Sequence, residues 1–212
     1  MTLVSTSAVV LQTYRYSETS KIVRLATRDL GVQSAIAKGV LRPKSPFDAA
    51  LETLSEGVAQ LYHKETRELQ TLAAFDVTEL RRGLARDLAC FAGAAALAEV
   101  MLKMAPAAPL AVAYDTFVRA LDALAQANSA AADAVAVRWL WLLVGVLGFA
   151  PALDACVRDG TPVAGNGAVA FSAADGGVLC TRCAPGTGRG PGDVTRLPPP
   201  AYRDLLTLND AG

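Results

Sequence analysis

The spacing of hydrophobic positions changes period twice along this chain. Up to about residue 78 the apolar residues come in short runs broken by turn residues: "AVVLQTY", "IVRLATRD", "GVQSAIAKG", "LSEGVAQLYHK" and "ELQTLAAFDV". Each run has strand length and is rich in Val, Ile, Thr or Tyr, and in the second Val23 and Leu25 alternate with Arg24 as a half-buried strand requires. From about 79 to 150 the period lengthens. Leu84, Leu88, Phe91, Ala95, Ala98 and Leu102 step by four and three, which predicts one apolar face of a long Ala-rich helix closed by Pro106 and Pro109. Two more helices are expected near 110–127 and 130–148, with the uncharged "WLWLLVGVLGFA" (139–150) as the most buried member and Trp139 and Trp141 in its core. From Pro151 the chain is rich in glycine and turns, ending in a short helix from Tyr202 to Leu208.

These patterns predict a mixed α+β protein with three parts: a five-stranded β-barrel domain over 1–78, a helical bundle over 79–150, and a small cysteine-bearing knuckle with a C-terminal segment over 151–212. Five short strands suit the OB-fold, the best-known barrel of this size, although SH3-like barrels and plain meanders fit the same pattern. At 212 residues, 52% hydrophobic and 19% charged, the chain is expected to fold. Its start, "MTLVSTSAVVLQTY", lacks the basic region and cleavage pattern of a secretory leader. The stretch 139–150 falls short of the about 20 residues that cross a bilayer. A cytoplasmic location and no membrane partner are therefore expected.

Charge alters this picture. The formal net charge is zero, yet residues 1–47 hold seven Lys and Arg against Glu18 and Asp29, whereas 48–80 hold Lys64 and Arg67 against seven acids. Such a domain can offer a cationic face to a polyanion without binding anions everywhere. The cations gather in "IAKGVLRPKSPF" (36–47), which reads as a strand end running into a mobile loop. Gly39 supplies freedom there, and Pro43 and Pro46 oppose helix. Lys38, Arg42 and Lys44 would meet phosphate, and Ser45 could donate to it; Arg24 and Arg28 are second-rank candidates. Tyr14 and Tyr16 are possible stacking platforms.

Candidate chemistry is otherwise sparse. The one histidine, His63, lies beside Lys64 and Glu65 at a strand end, and no nucleophile-elbow, phosphate-loop or zinc-protease motif occurs. No catalytic residue is assigned. "CTRC" places Cys180 and Cys183 on one turn, half of a zinc ribbon, while the upstream half reads "CVRD", with Cys156 first and Asp159 where a second cysteine would stand. Three readings stay open: zinc held by Cys156, Asp159, Cys180 and Cys183; a knuckle that has lost its metal; or a redox pair at Cys180 and Cys183, which needs a low-pKa thiolate.

In order, these segments resemble the bacterial RecO family of recombination mediators. The opening carries Glu18, Ser20 and Lys21 before the second strand, then Thr27, Arg28 and Gly31 at the turn. Ala37, Lys38 and Gly39 follow, leading into a basic loop ending in Lys44, Ser45 and Phe47; "LDACVRDG...FSAADGGVLCTRC" is similar to the family's metal-binding knuckle. The similarity covers most of the chain. Two departures are Asp159, where metal-binding relatives carry cysteine, and the end at Gly212, where relatives continue into further helix. The resemblance implies a non-enzymatic protein that binds single- and double-stranded DNA and anneals complementary strands. It also implies help in loading recombinase on DNA coated by single-strand-binding protein, with RecR and the C-terminal tail of that protein as partners. Two alternatives from other classes are an OB-type adaptor with little DNA affinity and a C-x-x-C thiol redox protein.

Overall fold

The structure is a computed structural model that describes the chain apart from residues 43–44, 46, 48–50, 164–166, 185–193 and 211–212. Its contacts divide into two units, Met1–Leu143 and Val144–Gly212.

In the first unit the five apolar runs form β1 (Thr2–Arg15), β2 (Lys21–Thr27), β3 (Gly31–Ala37), β4 (Glu56–His63) and β5 (Leu69–Glu79). They close a barrel in the order β1-β2-β3-β5-β4. Closure depends on the length of β1. Its first part, Thr2 to Val9, pairs with β4, and Ala8 to Arg15 pairs with β2, with a register shift between Val10 and Gln12 that bends the strand from one neighbour to the other. Parallel pairing of β3 with β5, from Ser34 opposite Leu69 to Ala37 opposite Leu72, completes the ring. Alternation then sets inside from outside: Ala8, Val10, Val23, Leu25, Ala35, Ala37, Ala59, Leu61, Leu72 and Phe75 fill the barrel, while Arg24 stands between two wholly buried neighbours and points out. Phe47 and Leu51, from the connection between β3 and β4, join the same core.

The helical part follows through an ion cluster centred on the buried Arg81. Arg81, with φ of 41°, pairs through Nε with Asp122 at 2.7 Å and through Nη2 with Glu56, whose other oxygen accepts from the Tyr114 hydroxyl at 3.2 Å. A short 3₁₀ turn, Leu84–Arg86, precedes α1 (Leu88–Met104), and Asp87 caps α1 by accepting from the backbone N–H groups of Ala89 and Cys90 at 2.9 and 3.1 Å. Helices α2 (Ala111–Gln126) and α3 (Ser129–Val144) complete the set.

Two expectations about these helices are corrected. The buried face of α1 is Cys90, Gly93, Ala94, Leu97, Ala98 and Met101, not the stripe through Leu88, Phe91 and Ala95; Leu88 is 83% exposed and Leu84 belongs to the separate turn. The reason is close approach: a Cβ on Gly93 would lie 2.8 Å from that of Ala136 on α3 and 3.4 Å from a Leu124 methyl on α2, so the small residues face the neighbours. Nor is "WLWLLVGVLGFA" the most buried segment. Of its residues only Leu143 is fully buried. Helix α3 continues through a π-type turn, Gly145–Phe149, broken at Gly148 (φ 89°), so that Ser129–Phe149 is a 21-residue apolar helical stretch long enough by length and composition to cross a bilayer. The apolar helix thus extends well beyond the twelve-residue stretch that the sequence singled out.

The second unit has a three-stranded sheet, ordered β7-β6-β8, from β6 (Val169–Ser172), β7 (Gly177–Leu179) and β8 (Val194–Leu197), and α4 (Pro199–Asp210). The Tyr202 ring is 1% exposed, and its hydroxyl donates to the Leu153 carbonyl. Val178 N–H donates to Ala152 O at 2.9 Å and Val157 N–H to Val178 O at 3.0 Å, tying the segment that carries Cys156 to the hairpin that leads into Cys180.

Candidate nucleic-acid interface and metal centre

Antiparallel register assembles a cationic end on the barrel. Arg15 lies opposite Lys21 across the β1–β2 hairpin, and Lys21 lies opposite Ala37, the last residue of β3 before Lys38. The chain then turns at Gly39, whose φ of 71° favours glycine, and Leu41 N–H donates to the Thr19 carbonyl at 3.1 Å. That bond sets the loop bearing Arg42 against the hairpin tip. Arg15, Lys38 and Arg42 are exposed and Lys21 is half-buried. Tyr14 and Tyr16, which flank Arg15 in the chain, are 46% and 59% exposed, and the Tyr14 hydroxyl donates to Gln12 Oε1. Glu18 is the single acid on the hairpin turn. Four cations can neutralise a phosphodiester backbone, and exposed aromatic rings can stack bases.

The described residues of this loop make specific contacts. Phe47 is 3% exposed and packs in the barrel core, and Arg42 and Ser45 are held by backbone bonds, Arg42 N–H to Gly39 O at 3.0 Å and Ser45 N–H to Arg42 O at 3.1 Å. Ser45 Oγ accepts from Phe47 N–H at 3.3 Å. Lys44 lies outside the described residues.

The remaining candidates lie apart from this end. Arg24, midway along β2, has a buried Nε without a hydrogen-bond partner among the described residues and lines a groove of about 580 Å³ with Ser34, His63, Arg67 and Gln70. Arg28 is four residues further, about 13 Å along an extended strand. There its Nε and Nη2 bind both oxygens of Asp115 at 2.9 and 3.0 Å. This fork raises the Arg28 pKa, and the same hydrogen bonds hold the Asp115 carboxyl below its ordinary range. Charge counting had registered Arg15 and Lys21 without selecting them. The signal that selects them is pairing register, which sets Arg15 opposite Lys21 and Lys21 opposite Ala37, the residue before Lys38. In the helical part, the Arg119 guanidinium stands 5.9 Å from the Trp139 ring centroid, and both Trp139 and Trp141 are half-buried.

In the second unit two turns bring the knuckle residues together. Gly160 N–H donates to Cys156 O at 2.8 Å; Cys183 and Ala184 N–H donate to Cys180 O at 3.1 and 2.8 Å. One donor atom from each of Cys156, Asp159, Cys180 and Cys183 falls in a group whose members all lie within 4.8 Å of one another. A tetrahedral zinc–thiolate centre places its sulfurs about 3.8 Å apart, so the four fit one ion. The Cys180 thiol donates to Asp159 Oδ2 at 3.3 Å and the Cys183 thiol to the same oxygen at 3.4 Å. The electrostatic environments of these groups differ. Burial opposes ionisation of Cys156, but the backbone N–H groups of Cys180, Arg158 and Asp159 outweigh it and lower its pKa. Asp159 is held well below the carboxylate range, first by Thr161 N–H and its hydroxyl, then by the Cys156 thiol. Cys183 is pushed up to about 12, first by burial and then by its hydrogen bonds to Cys180 and Asp159. The same residues can hold a zinc-class ion, which would link the two turns and stabilise the unit.

Comparison with known proteins agrees with this architecture. The family model "Recombination protein O N terminal" matches residues 1–81, and "Recombination protein O C terminal" matches 85–192. A protein of Rubrobacter xylanophilus named DNA repair protein RecO is 35% identical over 183 residues, covering 86% of this chain and 72% of that protein. Proteins of the same name from an Anaeromyxobacter species and from Anaeromyxobacter dehalogenans are each 33% identical, covering 100% and 97% of this chain and 81% and 79% of their own length. The chain belongs to the RecO family.

Proposed function

We propose that this chain is a recombination mediator without catalytic activity of its own. Membership of the RecO family supports a role in DNA repair and recombination. In the finer reading it binds single- and double-stranded DNA, anneals complementary strands and helps recombinase load on DNA coated by single-strand-binding protein. It acts in the cytoplasm with RecR and docks the C-terminal tail of that coating protein.

One observation carries the reading: Arg15, Lys21, Lys38 and Arg42 share one end of a barrel whose strand order is that of an OB-type module. On such a surface phosphates displace counterions and supply affinity without base readout, while Tyr14 and Tyr16 offer sequence-tolerant stacking. Annealing needs this kind of contact, because a protein that reads the bases would compete with their pairing. Arg28, bound to Asp115, is not assigned to the interface.

Salt dependence of binding to a single-stranded oligonucleotide provides the test. Lys38→Gln/Arg42→Gln removes two phosphate contacts and should flatten the slope of log K against log salt by about 1.4. A slope equal to that of the native protein, with the variant folded, overturns the placement.

A further inference from the structure

The carboxylate in the cysteine cluster is held in a way that the thiols do not require. Thr161 N–H donates to Asp159 Oδ1 at 3.0 Å, and Arg182 Nη2 donates to Oδ2 at 3.0 Å and to the Thr161 hydroxyl at 3.1 Å. Oδ2 is the nearer oxygen to the Cys180 sulfur, at 3.3 Å against 3.6 Å for Oδ1, and the partner of the Cys183 thiol, and it is also the oxygen fixed by the guanidinium. Arg182 comes from between the two cysteines of "CTRC", so its bond to Asp159 joins the two turns that supply the donors.

We infer that Asp159 Oδ2 joins the Cys156, Cys180 and Cys183 sulfurs as the fourth ligand of a zinc-class divalent ion, and that Arg182 is the residue that positions that oxygen. The inference rests on the fit of the four donors to a metal and is independent of the DNA-binding reading.

Physical chemistry explains why a carboxylate here needs a positioner. It offers two oxygens and can rotate, so both the choice of ligating atom and its direction must be fixed from outside. Ligating carboxylates are commonly held in this way by a further hydrogen-bond partner. Three thiolates, a carboxylate and a divalent ion also leave two net negative charges, which the Arg182 guanidinium partly offsets at the ligand itself. Arg158 does not share this role, because its Nε and Nη2 bind Asp175 and its Nη1 donates to the Cys183 carbonyl, away from the donor atoms. A fourth cysteine would remove the need, since a thiolate has a single ligating atom.

Cobalt(II) titration of the full chain tests this directly. Visible d–d bands report tetrahedral geometry, near-ultraviolet sulfur-to-cobalt bands report the number of thiolates, and far-ultraviolet circular dichroism monitors folding. The native protein should bind cobalt with a three-thiolate spectrum. Arg182→Ala should weaken binding by about 10- to 100-fold and lose d–d intensity, with partial recovery in Arg182→Lys. Asp159→Cys should gain a fourth thiolate signal, and in that background Arg182→Ala should have little further effect. If folded native protein takes up no cobalt while Asp159→Cys does, ligation by Asp159 is wrong. If native binds and Arg182→Ala matches it in affinity and spectrum, only the positioning role is wrong.

Discussion

Phe47→Ala is the substitution that asks whether the basic loop is anchored or free. The ring is 3% exposed and packs with the β1–β5 core, five residues after Arg42, so it ties the cationic segment to the barrel. Truncating a fully buried Phe to Ala typically costs 3–5 kcal/mol, because transfer free energy and a residual cavity add, so a loss of about 3–5 kcal/mol is expected here. For a protein of this size each kcal/mol shifts the melting temperature by about 2–4 °C, which places the expected drop at roughly 6–20 °C. Phe47→Leu keeps most of the volume and should lose less than about 1.5 kcal/mol. Leu41→Ala is the matched control. Leu41 lies on the same loop at 40% exposure, and its loss should stay within about 0.5 kcal/mol. Thermal unfolding followed by circular dichroism reads all three. DNA affinity should fall less than it does on removing Lys38 and Arg42, since the charges stay and only their placement loosens. If Phe47→Ala melts within about 2 °C of native, as the Leu41 control should, the loop is not held by the core and the placement of Arg42 loses its basis.

Other expectations concern the ion pairs. Arg81→Ala strands Glu56, whose side chain is 18% exposed, and should destabilise by up to about 3–5 kcal/mol, less whatever solvent recovers at the partly exposed Asp122. Arg81→Met/Glu56→Gln should be milder because only the partly exposed Asp122 is left without its partner, and urea midpoints compare the two. For Arg28 and Asp115, the folded carboxyl pKa is lowered by the guanidinium, so the pair's contribution is present above the unfolded value of about 3.9 and fades as pH falls through the folded one. Melting curves of native and Arg28→Ala should therefore differ slightly at neutral pH and converge in acid. Arg28→Ala should also leave the salt slope for single-stranded DNA unchanged.

Much of the fold was legible because strand and helix periods differ. All five runs before residue 78 became strands, and Val23 and Leu25 did enclose Arg24 as an outward residue. What local pattern could not supply was pairing. Nothing in "TYRYSETSKI" alone says that Arg15 faces Lys21 or that Lys21 faces the end of β3, yet that register builds the cationic end. Arg28 looked equivalent to Arg24 by residue type, but its partner Asp115 is 87 residues away. On α1 the apolar template failed because alanine fits several faces equally well. The face was chosen by Gly93, where α2 and α3 come too close for any side chain. The knuckle was readable as residue types and spacing, while the role of Arg182 emerged only when the two turns were seen side by side.

The central claim, that the cationic end of the barrel mediates strand annealing, is tested most directly with two complementary oligonucleotides coated by single-strand-binding protein. Annealing by the native chain is compared with that by Arg15→Gln/Lys21→Gln/Lys38→Gln/Arg42→Gln at two salt concentrations. The account predicts annealing by the native protein that weakens with salt and is largely lost in the folded variant. Annealing that persists undiminished in the variant, or no annealing by a folded native chain, would contradict it.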